Sequence, residues 1–286
     1  MSTAARGGRL GQRALTALVG IPLALLVIYF GGWYLAAAVA LLALLGVHEF
    51  YGLTKVEDRF IAGFGYLGAA ALVVGARVAP HGTYHYTGLG IALLVALGQL
   101  ASWLARKRRE RVHTLLRQVA AVTVGWAYVP FLFGYLLQLR GLEALRPLPH
   151  WLPAGAGWVF LVIACCWVMD TAAYLVGRAI GRHKLAPKIS PGKTVEGAIA
   201  GLVAAMAWTA GLGITLGLTV GQGLALGAVL GVGGQVGDLF ESLLKRRAGV
   251  KDSGTLLPGH GGVLDRFDSL LFCAPLGYAV LALFLR

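Results

Sequence analysis

Charged side chains are scarce in this sequence: only 13% of the 286 residues are Asp, Glu, Lys or Arg, whereas soluble domains carry about 25%. Apolar residues reach 58%, so the composition excludes an ordinary soluble protein. Acidic residues are fewer than basic residues, 12 against 25, so the net charge is +13. Because the chain is too apolar for a soluble nucleic-acid-binding protein, we expect no nucleic acid partner and attribute the basic excess to a membrane.

Cysteine is also rare, and its positions exclude a metal site built on thiolates. Cys165, Cys166 and Cys273 lie in apolar runs and lack metal-binding spacing, so we expect them to pack against apolar neighbours. Glycine is the opposite case, since 42 residues are roughly twice the usual share. This excess inside apolar segments predicts closely packed membrane helices, with some glycines in turns around a ligand.

Long apolar runs predict an all-α, polytopic integral membrane protein with about nine transmembrane helices. Each span needs about 20 largely apolar residues. Gly31 and Gly32 divide the first uncharged run, and the 41 uncharged residues of 197–237 suffice for a hairpin of two spans. The predicted spans are 14–30, 33–50, 60–79, 86–104, 118–139, 156–177, the two halves of 197–237, and 268–285.

Basic residues divide unequally between the two sets of loops that nine spans create. All but four of the 25 fall in one set, and the exceptions are Arg77, Arg140, Arg146 and Arg286. The positive-inside tendency therefore predicts a cytoplasmic N-terminus, with the polar loops of the chain on the cytoplasmic side of a bacterial-type inner membrane. A signal peptide over 14–30 is disfavoured, because the apolar pattern resumes at once.

The first polar segment runs from the sixth predicted span into a loop. An ionised Asp170 at this depth costs about 2.5–3.5 kcal/mol on insertion scales, so it must face a polar cavity or a partner. Helical spacing places Tyr174 and Arg178 on the same face, and a structural Asp170–Arg178 pair stays open as the alternative. Ser190 is expected near the start of the next helix. The loop offers cations and hydroxyls to a phosphate: Lys188, Ser190, Lys193 and Thr194.

The second polar segment joins the last two spans and carries Asp238, Asp265 and Asp268, which we expect at helix ends on one membrane face. Cations lie between them, and His260 stands among glycines that lack the bulk to bury it. Carboxylates beside an excess of cations suit a polyphosphate held through Mg²⁺. Residues 245–247 alone would be an ordinary basic cluster for anionic lipid.

The two segments resemble phosphatidate cytidylyltransferases. The matching positions of the second segment are Ser242, Leu244, Lys245, Arg246, Lys251, Asp252, Gly254, Leu257, Pro258, His260, Gly261, Gly262, Val263, Asp265, Arg266, Phe267 and Asp268. Residues 170–174 and 190–197 resemble a second block of that family, with Val195 where an aromatic residue is frequent. The first 150 residues agree only in being apolar spans.

The resemblance implies transfer of the cytidylyl group from CTP to phosphatidic acid, which yields CDP-diacylglycerol and pyrophosphate. It implies Mg²⁺ bound by Asp238 and Asp265, with a second, monovalent cation left open, and a homodimer in the membrane lipid. The candidate catalytic residues are Asp238, Asp265, Lys245 and His260. The candidate substrate-binding residues are Lys188, Ser190, Lys193, Thr194, Ser242, Arg246, Lys251, Arg266, Asp170 and Tyr174.

We also expect the chain to consist of two regions. Residues 1–117 form an N-terminal transmembrane region with about four spans, and 118–286 form a catalytic region with about five. One alternative function is a CTP-dependent lipid kinase acting on a polyprenol-type alcohol, which would release CDP instead of pyrophosphate. A transporter is far less favoured, because the ionisable residues gather at one interface instead of near the midplane.

Overall fold

Helices dominate the computed structural model, which describes residues 18, 20–79, 82–105, 112–149, 152–254 and 261–285. This confirms the all-α prediction, with one two-stranded sheet as the exception. In chain order the elements are α1 Gly20–Phe30, α2 Gly32–Thr54, α3 Arg59–Val78, α4 Tyr84–Ala105, α5 Val112–Tyr128, α6 Pro130–Arg140, α7 Ala154–Ile180, β1 Lys184–Ala186, β2 Ser190–Thr194, α8 Val195–Thr215, α9 Val220–Ala248 and α10 Leu264–Phe284.

Eight spans in the described part of the chain are long and apolar enough to cross a membrane, and they match eight of the nine predictions. The remaining prediction, 14–30, lies partly outside the described residues, and its described part is the shorter helix α1. Helices α5 and α6 together make one span, Leu116–Arg140. It is interrupted at Pro130, because proline lacks an N–H and its ring crowds the preceding turn.

The apolar run 197–237 folds as the predicted hairpin, with α8 packed along α9. The run contains two series of glycines spaced four residues apart, and this spacing predicts close helix packing for both: Gly213, Gly217, Gly221 and Gly223, Gly227, Gly231. The second series forms the contact between α8 and α9, since a Cβ on Gly223 would lie 2.5 Å from Ala210 Cα and one on Gly231 would lie 2.8 Å from Leu202 Cδ1. For the first series the prediction is wrong. Gly217 instead forms the turn, with φ of +98°, and Gly221 has no neighbour within 4 Å.

Helix α9 continues beyond the apolar run to Ala248, where Gly249 ends it in the left-handed conformation. The expectation that Asp238 stands at a helix end is therefore wrong, because the polar residues after it are good helix formers and simply extend the helix. Asp265 does lie in the first turn of α10, as predicted. The polar end of α9 thus carries several charged side chains on successive turns.

Small residues bring α7, α9 and α10 into close contact near these charges. A Cβ on Gly234 would lie 2.7 Å from Met169 Cε, and one on Gly237 would lie 2.6 Å from the Asp268 carbonyl oxygen. The three cysteines are buried in the same region, as expected from their apolar surroundings. Close packing of these helices places their acidic side chains near one another.

Gly223→Ala should destabilise the protein by about 1–3 kcal/mol, because the added methyl group overlaps the backbone of α8. The matched control is Gly221→Ala on the same helix, where the methyl group meets open space and the change should be neutral or stabilising. Thermal unfolding of the purified variants in detergent measures both effects. Equal unfolding temperatures for the two variants would contradict the packing role of Gly223.

Candidate functional site

A cavity of about 580 Å³ opens between α7, α8, α9 and the β1–β2 hairpin. It brings residues of the two polar segments together. Six of the candidate residues line it: Asp170, Tyr174, Ser190, Lys193, Thr194 and Asp238. Its wall also includes Arg178, Lys184 and Gln235, which were not among the candidates.

The β1–β2 hairpin forms the side of the cavity that contains the hydroxyls and cations. Its strands are antiparallel, with Lys184 opposite Thr194 and Ala186 opposite Ser190. Ser190 is therefore not the helix cap that was expected. Thr194 caps α8 instead: its hydroxyl oxygen accepts a hydrogen bond from Gly197 N–H at 3.2 Å. The helix begins later than expected because residues 190–194 pair with β1.

Two contacts fix the hairpin to the helices. At its base, His183 Nδ1 lies 2.7 Å from Glu196 Oε1, and the His183 backbone N–H donates to the same carboxylate at 3.2 Å. Near its tip, Arg246 Nε donates to the Ile189 carbonyl at 3.2 Å. Arg246 was a candidate for phosphate binding, and in this structure it joins the hairpin to the end of α9.

Three carboxylates lie around one lysine of the cavity wall. Lys193 Nζ lies 2.5 Å from Asp238 Oδ2. Asp170 on α7 and Asp268 on α10 are close enough for their charges to interact with Asp238 and with Lys193. Three helices therefore place carboxylates around one cation supplied by the hairpin.

The alternative of an Asp170–Arg178 pair is wrong. Arg178 Nη1 instead contacts the Tyr174 hydroxyl at 3.3 Å, one turn earlier on the same helix. Asp170 lines the cavity and interacts with Lys193 across it. The sequence left a polar cavity or a partner open for this carboxylate, and the structure places it in the cavity.

A second charged group lies on the contact between α9 and α10. Lys245 Nζ lies 2.5 Å from Glu241 Oε2 and 2.6 Å from Asp265 Oδ1. Glu241 has no exposed side-chain surface, and only 13% of the Lys245 side chain is exposed. Spacings of three and four residues place Asp238, Glu241 and Lys245 along one face of α9, so the two charged groups are neighbours.

Asp265 also accepts hydrogen bonds, in addition to its ion pair with Lys245. Its Oδ2 atom accepts from the backbone N–H groups of Gly262 at 2.8 Å and Ser253 at 2.9 Å, and from the Ser253 hydroxyl at 3.0 Å. Gly261 precedes this contact with φ of +82°, which favours glycine. The backbone on both sides of 255–260 therefore folds around the Asp265 carboxylate.

The other candidates are more scattered. Ser242 Oγ lies 3.4 Å from Asp238 Oδ1, one turn along α9. Lys188, Lys251 and Arg266 are exposed. His260 lies outside the described residues.

Sequence reasoning missed two buried residues that lie beside this site, one on α2 and one at the end of α5. Glu49 on α2 is only 4% exposed, and it accepts hydrogen bonds from the Val263 and Leu264 N–H groups at 2.7 and 3.0 Å. Tyr128, at the end of α5, is buried, and its hydroxyl has no hydrogen-bond partner among the described residues. It is close enough to Glu241 and Asp268 for their charges to interact with it. The sequence offered one signal for Glu49, because it is an acidic residue at the end of an otherwise uncharged predicted span.

Fold and site together define a polytopic membrane protein with a charged cavity suited to phosphate groups. A family model described as the cytidylyltransferase family matches residues 11–284, so the chain belongs to the cytidylyltransferase family. It is 34% identical to a phosphatidate cytidylyltransferase of Synechocystis sp., over 96% of this chain and 97% of that protein. The Staphylococcus aureus protein of the same name is 32% identical over 92% of this chain and 96% of its own. That of Bacillus subtilis is 40% identical over 58% of this chain and 60% of its own.

Lys245→Met should reduce the free energy of unfolding by about 3–5 kcal/mol, because it leaves Glu241 and Asp265 without their shared cation. Adding Glu241→Gln should recover part of the loss. The control is Lys251→Met, an exposed change of the same kind, expected within about 0.5 kcal/mol of wild type. Denaturant unfolding in detergent measures all three, and an unaltered Lys245→Met protein would rule out the structural role of this ion pair.

Proposed function

We propose that this protein transfers the cytidylyl group from CTP to phosphatidic acid, forming CDP-diacylglycerol and releasing pyrophosphate. The observation that carries the proposal is a cavity of lysine, hydroxyl and carboxylate groups within a membrane helix bundle. Its chemistry suits a nucleoside triphosphate and a lipid phosphate together. The names of the relatives, phosphatidate cytidylyltransferases, support the same choice of substrates.

The reaction requires positioning more than covalent chemistry from the protein. An oxygen of the phosphatidic acid phosphate attacks the α-phosphorus of CTP, a new P–O bond forms, and the bond to pyrophosphate breaks. Holding the two phosphates in line and offsetting their negative charge is then the main task. Lys193 is placed for this task, with the hydroxyls of Ser190 and Thr194 beside it and no side chain at Gly192 to obstruct the backbone.

Lys193 has a neighbour that explains how it is held before substrates bind. Its ion pair with Asp238 holds the ammonium against α9. A phosphate entering the cavity offers Lys193 a competing anion, so the lysine is oriented in advance toward the place where charge is added. Lys188 and Lys251 are exposed, and we propose that they contact the more distant phosphates of CTP.

A lipid substrate explains why the cavity belongs to a membrane bundle. Leu175 and Ile199, which adjoin cavity residues on α7 and α8, are 58% and 57% exposed. Apolar side chains on the outer surface of the bundle fit acyl chains that stay in the bilayer. The phosphate of phosphatidic acid would enter the cavity while its diacyl tails remain outside.

We propose that Asp238 and Asp265 bind Mg²⁺, and the donor chemistry of both residues fits the ion. Carboxylate oxygens are its preferred protein ligands, and Mg²⁺ uses one or two of them together with substrate phosphates. In the described part of the chain, no three acidic, histidine or cysteine side chains form a metal-binding cluster. Among the described residues, Asp265 Oδ1 is bonded to Lys245 and retains a lone pair. When bound, the ion would neutralise charge on the triphosphate.

Further proposals concern the surroundings of the enzyme. We propose an inner-membrane location with the N-terminus and the site on the cytoplasmic side, from the unequal distribution of basic residues. CTP is charged and water-soluble, so the cavity must open to the compartment that contains it. The homodimer and the second, monovalent cation stay predictions from the resemblance.

Purified protein with phosphatidic acid and CTP should form CDP-diacylglycerol and one pyrophosphate per lipid product. CTP labelled in the cytosine ring and in the γ-phosphate distinguishes the alternatives in one assay. Ring label in the lipid and γ-label in pyrophosphate support the proposal. Label transfer from the γ-phosphate to a lipid alcohol, with release of CDP, would identify a kinase instead and contradict it.

Asp238→Asn and Asp265→Asn should each reduce turnover at least about 100-fold, because each removes one of the two carboxylates proposed to bind the metal. Chelation of divalent ions should abolish the activity of the wild-type protein. Glu143→Gln, which changes an exposed acid outside the cavity, is the control and should retain wild-type turnover. Mn²⁺ binding followed by electron paramagnetic resonance supplies a readout other than activity. Wild-type Mn²⁺ affinity in both aspartate variants would show that the metal is bound elsewhere.

A further inference from the structure

We propose that Glu49 is a positioning residue that fixes Asp265 and the start of α10 from the opposite half of the chain. The inference rests on the proposed function, because it matters for catalysis only if Asp265 does. Glu49 lies on α2, more than 200 residues before its partners in the sequence. Glu49 is 4% exposed, so its contacts are made inside the protein.

Glu49 supplies a helix cap that α10 lacks in its own sequence. The residue at the cap position is Val263, whose side chain makes no capping hydrogen bond. The Val263 N–H donates to Glu49 Oε1 at 2.7 Å, and the Leu264 N–H donates to Oε2 at 3.0 Å. A carboxylate at this place satisfies N–H groups that the helix leaves free and complements the positive end of its dipole.

Ser253 connects this cap to Asp265. Its hydroxyl lies 2.8 Å from Glu49 Oε2 and 3.0 Å from Asp265 Oδ2, while its N–H donates to Asp265 Oδ2 at 2.9 Å. A hydroxyl has one proton, so it donates to one carboxylate at a time and lies between both. The two acids therefore hold the same serine and the same end of α10.

Two glycines leave room for Glu49 in this arrangement. A Cβ on Gly254 would lie 2.8 Å from Glu49 Oε1, and one on Gly262 would overlap both Ser253 Oγ and Glu49 Oε2. The backbone can wrap around the carboxylate only because both positions lack a side chain. Both glycines belong to the pattern that the sequence analysis singled out, and the structure gives them a packing role around Glu49.

The consequence for Asp265 is geometric. Asp265 lies one residue after Leu264, so a shift of the Val263 and Leu264 N–H groups moves its carboxylate with them. Lys245 and the Gly262 N–H hold Asp265 from other sides, and Glu49 determines where the helix itself begins. Displacing a catalytic group by about 1 Å can cost about 100-fold in rate.

The test compares Glu49→Ala and Glu49→Gln with the control Glu57→Gln, an exposed acid between α2 and α3. We expect Glu49→Ala to reduce kcat about 10- to 100-fold with KM for CTP changed less than about threefold, the pattern of a group that acts in the transition state. Glu49→Gln keeps one acceptor oxygen, so its kcat should fall less than that of Glu49→Ala. Glu57→Gln should match wild type.

Hydrogen exchange supplies a readout independent of activity. Mass spectrometry of a peptide covering 261–270 should show about tenfold faster exchange of the Val263 and Leu264 amides in Glu49→Ala, since both lose their acceptor. Ser253→Ala should reduce the free energy of unfolding less in the Glu49→Ala background than in wild type, because the two residues share one contact.

Wild-type kcat together with wild-type exchange in Glu49→Ala would overturn the proposal. So would a lower kcat with unaltered exchange, because Glu49 would then act elsewhere. If Glu49→Ala does not fold, Glu49→Gln is judged by the same two criteria. A wild-type protein that makes no CDP-diacylglycerol, with faster exchange in Glu49→Ala, would refute the proposed function and leave the structural contact established.

Discussion

Compensation of carboxylates within an apolar bundle is the constraint on which this structure depends. An acid removed from water is stable only where cations or N–H groups surround it. Asp238 has Lys193, Glu241 and Asp265 share Lys245, and Glu49 has the N-terminus of α10. Except for the Glu241–Lys245 pair, which lies within α9, each of these contacts joins two different elements. The charges that equip the cavity therefore also determine how the hairpin, α2, α9 and α10 are arranged.

Close helix packing is what allows such compensation, and glycine makes it possible. Gly237 lets α9 approach the backbone of α10, and Gly197 lets α8 approach α7 within contact of the Ala173 carbonyl. Larger side chains at these positions would separate the helices and lengthen every ion pair between them. The glycine excess noted in the composition thus has two uses, close packing along α8 and α9 and room for backbone around a carboxylate.

The sequence predicted the spans and the two polar segments well, because both depend on local composition. Apolar runs of membrane length identify helices whatever they pack against, and Asp170 in such a run required a cavity. Helix ends were less predictable. The cap of α8 is Thr194 instead of Ser190. Helix α9 continues past Asp238, because a helix need not end where its apolar surface ends. Strand pairing and helix propensity decide those boundaries.

Glu49 shows why part of the site was beyond local reasoning. Its partners lie about two hundred residues later, and no spacing in the sequence relates an acid on α2 to an uncapped helix start at Val263. Tyr128 poses the same difficulty from α5. The division at residues 117 and 118 stays a prediction, but contacts cross it, since α2 packs against α9 and α10. The N-terminal helices therefore do more than hold the chain in the membrane: they form part of the support for the charged groups of α9 and α10.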